Sequence, residues 1–168
     1  RAPNGKQTGK WQSVAYSYFP KLAMICDCSS HLILAAVPER GPRPDDGHWS
    51  RAMSEARRRV RIAVLLADAG YDAEWIHQAA RLVFGSRTII PPKRGRPTQK
   101  PPRQFYRRKM WTLFQRSRTR KPYRQRSQAE TVFSMIKRRL DSSVNAHTYP
   151  SQSRALLLKT ITHNIMIL

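Results

Sequence analysis

Tyr123, Arg126, Glu130 and Lys137 stand at offsets of 0, 3, 7 and 14 residues. At roughly 100° per residue they share an arc of about 60° on one face of a helix. An aromatic hydroxyl, two cations and a carboxylate on one stripe suit an anionic substrate and a metal ion. Ala129, Val132, Ile136 and Leu140 fall on a neighbouring face, which would dock the helix and leave the polar stripe at the edge of the core. Upstream, the apolar run Ile62 to Ala67 ends at Asp68-Ala69-Gly70, so a strand buried on both faces delivers a second carboxylate into a turn. Phosphodiester cleavage with two metal ions about 3.5 to 4 Å apart needs carboxylates converging from separate elements. Asp68 and Glu130 could supply two of them.

A plainer reading stands beside this one. Ser127 and Glu130 also form Ser-x-x-Glu, a capping box in which Glu130 satisfies a free backbone N–H. That box starts the helix at Ser127 and excludes Tyr123, whereas the stripe needs helix from about Pro122. Asp68 alone is equally an ordinary loop acid.

The charge favours a polyanion. Lys and Arg number 32 against 10 Asp and Glu, giving a net +22 and a pI near 11.4, the footprint of a nucleic-acid partner. Residues 93–140 hold 17 of those cations and one acid, Glu130, a net +16 in 48 residues. Phe105, Tyr106, Trp111 and Phe114 are interleaved among them and could stack on bases. No apolar run approaches the roughly 20 residues that span a bilayer, and no N-terminal signal pattern is visible. A soluble, cytoplasmic protein is therefore expected. Cys26 and Cys28 lack a second pair to complete a zinc site, and His31, His48, His77, His147 and His163 show no ligand spacing. No zinc is expected.

Positioning these groups requires a fold. Lys21 to Asp27 and His31 to Val37 read as an antiparallel hairpin. Past a Gly41-Pro42-Arg43-Pro44 loop, Trp49, Met53, Ala56 and Val60 fall at helical spacing. The strand from Ile62, a helix over about Ala73 to Val83 capped by Asp72, and a strand over Arg87 to Ile90 follow. The order β-β-α-β-α-β points to one domain, 1–168, of α/β class with a mixed sheet. Residues 93–121 read as a basic, Pro-rich, extended connector within it. A last helix covers about Ser151 to Met166, with Leu156, Leu157, Leu158, Ile161, Ile165 and Met166 as core.

The stripe resembles the signature of the DDE transposases of bacterial insertion sequences: Tyr, two residues, Arg, three residues, Glu, six residues, Lys. Tyr123, Arg126, Glu130 and Lys137 match it without a mismatch. The surrounding Tyr123 to Ser134, Ile136 to Arg139, Ala67 to Asp72 and the closing Thr162-His163-Asn164 are similar to that family too. The resemblance implies an RNase H-like mixed sheet with flanking helices. It implies Asp68 as second and Glu130 as third catalytic acid, both holding Mg²⁺. Tyr123, Arg126 and Lys137, with Arg124 and Arg138 beside them, would grip insertion-sequence ends, and a homodimer in the DNA complex is compatible with it. Water, then a freed 3′-hydroxyl, would attack phosphorus.

One departure matters. The family's first Asp lies on the opening strand of the sheet, and no Asp or Glu precedes Asp27 here. Lys21 to Asp27 matches the second strand better, so the first strand is expected to be missing and the chain inactive alone. The alternative is a non-catalytic basic DNA-binding module from a decayed or repurposed transposase. A ribosome-associated basic protein would instead prefer RNA and give Asp68 and Glu130 no role.

Overall fold

A computed structural model describes residues 19–41, 45–93, 100–116 and 119–168. The basic residues 1–18, the loop at 42–44, and 94–99 and 117–118 of the expected connector lie outside these. In chain order the elements are β1 (Phe19–Cys26), β2 (Ile33–Gly41), α1 (Trp49–Arg57), β3 (Val64–Leu66), α2 (Glu74–Leu82), β4 (Arg87–Ile89), α3 (Phe105–Gln115), α4 (Arg120–Arg124), α5 (Ser127–Arg139) and α6 (Tyr149–Ile167). The class is α/β, with the expected β-β-α-β-α-β order.

β1 and β2 pair antiparallel. Successive side chains alternate between faces. Ala23, Ile25, Ala35 and Val37 therefore meet Ala52 and Ala56 of α1 on one side, while Met24, Cys26 and Ala36 meet Val132 and Ile136 of α5 on the other. Ile33 joins the α5 side although it lies two residues from Ala35. The register shifts between Ile25 and Cys26, leaving Leu34 without a Cα partner, and one extra residue sends the following side chains to the opposite face.

The irregular backbone is satisfied from outside the hairpin. Arg59 Nη1 donates to Leu34 O at 2.8 Å. On α6, Asn164 accepts from Ile33 N at 2.8 Å and donates to Ile33 O at 3.0 Å. The neighbouring His163, fully enclosed, lies 3.2 Å from His31 O. His163 and Asn164 thus work as a clasp on the hairpin. Asn164→Ala should cost about 1–3 kcal/mol, because a buried N–H and C=O lose their partner together. A urea midpoint unchanged from the parent would refute that role.

The largest apolar cluster joins Trp49 and Met53 of α1, Leu65 of β3, Ile76 and Ala80 of α2, and Ile90. Trp49 is held edge-on by Trp75 and Phe84, with centroids 5.6 and 5.5 Å away.

Four expectations need correction. Among the described residues there is no single mixed sheet: β1–β2 form one two-stranded sheet and the parallel pair β3–β4 another. The run from Ile62 is correspondingly not buried on both faces, since Val64 is 37% exposed. The stretch read as an extended connector contains an eleven-residue helix, α3. Finally, Leu157, Leu158, Ile161, Ile165 and Met166 of α6 are exposed, and its buried residues are Thr160 and His163. Apolar residues surround α6, so their pattern selects no face, and polar clasping of β2 selects it instead.

Candidate functional site

Asp68 follows β3 with extended backbone and caps the short 3₁₀ turn Ala69–Tyr71, its Oδ1 accepting from Gly70 N at 2.8 Å. The side chain is exposed, and its second oxygen has no partner among the described residues.

The helix carrying Glu130 starts at Ser127, but without the capping box. Ser127 Oγ donates back to Arg124 O at 2.9 Å, and no side chain caps α5. Glu130 pairs instead with Arg126, one turn earlier. α4 and α5 are joined by tight i→i−3 bonds from Gln125 N to Pro122 O and Arg126 N to Tyr123 O, and Arg126 itself is right-handed helical. Tyr123 and Arg126 thus stay close to the line of the helix across a break that a continuous stripe would not contain.

Electrostatics show which groups come together. Burial pushes the Tyr123 hydroxyl up; the Arg126 charge opposes this, and the negative charges of Asp68 and Glu130 add to it. The Arg126 guanidinium is raised by its bond to Glu130, with Tyr123 and Asp68 contributing. Asp68 from the β3 turn and Glu130 from α5 therefore act on the same tyrosine and arginine. Lys137 and Arg138 are exposed two turns further along α5, and Arg124 is exposed at the end of α4.

Asp27 is engaged elsewhere: its Oδ2 takes bonds from the backbone and hydroxyls of Ser29 and Ser30. The Ser29 hydroxyl leads in holding its carboxyl down at about 2. Among the described residues no group of three or more His, Cys, Asp or Glu could hold a metal ion.

Two features escaped the sequence. Asp72 does not cap α2, whose N-cap is Ala73 without a side-chain bond. It is buried, with Oδ2 accepting from Lys93 N (2.8 Å) and from Arg107 Nε and Nη2 (3.1 and 3.0 Å), and Oδ1 3.3 Å from His77 Nε2. Glu74 accepts from Tyr106 N and Arg107 N at 2.9 and 3.0 Å, capping α3 across space. These acids fix α3 against α2. Its far end reaches the site, since Phe114 meets the Tyr123 ring edge-on at 5.2 Å. Tyr106 lies beneath Arg81 and against Phe105. Of the four aromatics read as stacking surfaces, Tyr106 and Phe114 are therefore engaged within the protein, whereas Phe105 is 68% exposed.

A family model described as transposase DDE domain matches residues 1–165. A search of curated proteins and one of solved structures each returned no match. No helix among the described residues is long and apolar enough to cross a membrane.

Proposed function

Because the chain belongs to the transposase DDE domain family, with DNA the partner that membership implies, we propose that residues 1–168 form part of a single RNase H-like catalytic domain. Its parent activity is metal-dependent phosphodiester hydrolysis and strand transfer at insertion-sequence ends. The observation that carries this reading is the family match over residues 1–165, and the influence of Asp68 and Glu130, from separate elements, on Tyr123 and Arg126 supports it.

Asp68 and Glu130 would hold Mg²⁺. Both are exposed oxygen donors, and that ion is commonly held by one or two carboxylates together with substrate phosphates. Bound there, it would supply positive charge to the phosphoryl oxygens and a nucleophilic water. Arg126 currently neutralises Glu130; a DNA phosphate is a competing acceptor for its guanidinium, so DNA arrival would free Glu130 for the metal. The raised Tyr123 hydroxyl stays protonated at neutral pH and donates to a phosphate rather than accepting. Lys137, Arg138 and Arg124 extend the grip along the backbone.

With Asp27 bound to its own turn, the chain offers two carboxylates of a three-acid site, and alone it is inactive. Purified residues 1–168 should bind insertion-sequence ends and leave them uncut in Mg²⁺. Mg²⁺-dependent nicking that disappears in Glu130→Ala would overturn the inactivity. The absence of a third nearby acid among the described residues also favours a second reading, a non-catalytic DNA-binding module. That module predicts affinity indifferent to Mg²⁺ and to Glu130→Gln.

A further inference from the structure

The turn that joins β1 to β2 is held at many points for a turn on the surface. Asp27 Oδ2 accepts from Ser29 N and Ser30 N at 3.1 and 2.8 Å and from both hydroxyls. Asp27 N donates to Leu32 O at 2.9 Å, and His31 N donates to Asp27 O at 3.0 Å. His31 is thereby fixed in the left-handed region, at φ 63°, which few non-glycine residues occupy. A backbone kept there is over-determined by its surroundings, and such residues cluster at functional sites. The His31 carbonyl is gripped from α6, 3.2 Å from Nε2 of the enclosed His163.

From this turn two side chains reach the junction of α4 and α5. His31 Nε2 lies 2.7 Å from Gln128 Oε1, and Cys28 Sγ donates to Gln125 O at 3.7 Å. Gln128 N also donates to Gln125 O, at 3.0 Å. Residues three apart share a helical face, so the turn grasps one face at two points. Arg126 and Glu130 each stand two residues from Gln128. At roughly 100° per residue, both lie about 160° around the axis from it, nearly opposite the held side chain.

Nothing else described secures this end of α5. Its buried apolar residues begin at Val132, and no side chain caps it, so its first turn would otherwise fray. We propose that His31 is a positioning residue for the candidate site. Its contact with Gln128, seconded by Cys28 on Gln125, fixes the first turn of α5 from behind and so aims Arg126 and Glu130. The aim matters because a guanidinium grips phosphate through a fixed fork geometry. That the aimed groups meet DNA rests on the transposase reading; the grip on α5 does not.

Gln128→Ala removes the contact without touching the turn, and His31→Asn removes it from the other side with a residue that left-handed backbone accepts. In residues 1–168 of either variant, amide exchange at 126–131 should quicken about fivefold, the factor that one net hydrogen bond contributes, while α2 exchanges as in the parent. Affinity for duplex DNA should fall by about the same factor. Beside Arg126→Ala the further loss should be less than about twofold, because the effect passes through the guanidinium. A contact that only stabilised the fold would add its full cost there. Should His31→Asn misfold by circular dichroism, Gln128→Ala decides alone. Unchanged exchange at 126–131 would overturn the grip. Quicker exchange with undiminished DNA affinity, or a full further loss beside Arg126→Ala, would overturn the positioning. A parent that binds no DNA would sink the transposase reading instead, and exchange would then decide the grip.

Discussion

Raising monovalent salt from 50 to 200 mM should weaken the protein's binding to duplex DNA about a thousandfold, a factor that follows from about six phosphate contacts at a slope of about −0.9 each. Six exposed or half-exposed cations gather on the helices that Phe114 and Tyr123 pin together: Arg108 and Lys109 on α3, and Arg124, Arg126, Lys137 and Arg138 along α4 and α5. Each phosphate neutralised releases condensed counterions, so the dependence is steep although each contact is weak. Lys137→Ala should flatten the slope by about one. Arg51→Ala should leave it unchanged, because Arg51 sits on α1 and pairs with Glu55. Titrations at four salt concentrations decide the matter. A flat dependence would remove nucleic acid as the partner, and equal slopes for all three proteins would move the interface off the Tyr-Arg-Glu-Lys stripe.

What the residues disclosed, and what they hid, follows from the range of the forces involved. The hairpin, α1, α2, β4 and the start of α6 rest on local signals: alternation, 3.6-residue spacing, and Thr148 accepting from Ser151 N before Pro150. Expectations met structure there. The start of α5 at Ser127 was one of the two readings the residues left open, and the capping box expected with it is absent because the bond to Arg124 O competes with a cap for the Ser127 hydroxyl. α3 was hidden because its N-terminal carboxylate is Glu74, more than thirty residues away; among Lys, Arg and Pro no local cap announces it. The exposed face of α6 was hidden for the reason that its clasp is polar. Family membership was legible in four spaced residues, since spacing on a helix survives without knowledge of neighbours. The same spacing could not reveal that β1–β2 and β3–β4 form separate sheets among the described residues, which depends on pairing between distant segments.

Replacing Asp72 with alanine should lower stability by about 3 kcal/mol, the small end of the range for breaking a buried ion pair. It should lower Tm by roughly 6–12 °C at this chain length. Arg107 is 28% exposed and can turn to water, which limits the cost. His77 cannot: it is wholly buried, with Nδ1 2.7 Å from Thr88 Oγ1 and Nε2 3.3 Å from Asp72 Oδ1. Burial pushes the Asp72 carboxyl up, but His77, Arg107 and the Lys93 N–H outweigh it and hold it down at about 2, against 3.8 when free. A depressed carboxyl stabilises the fold above its free value and loses that contribution as pH falls towards 2. The shift corresponds to about 2 kcal/mol. The stability gap between parent and Asp72→Ala should therefore be full at pH 6 and shrink by about that amount by pH 2, as followed by urea unfolding at each pH. Parallel stability curves for the two proteins would mean that Asp72 holds α3 by shape alone, with its charge contributing nothing.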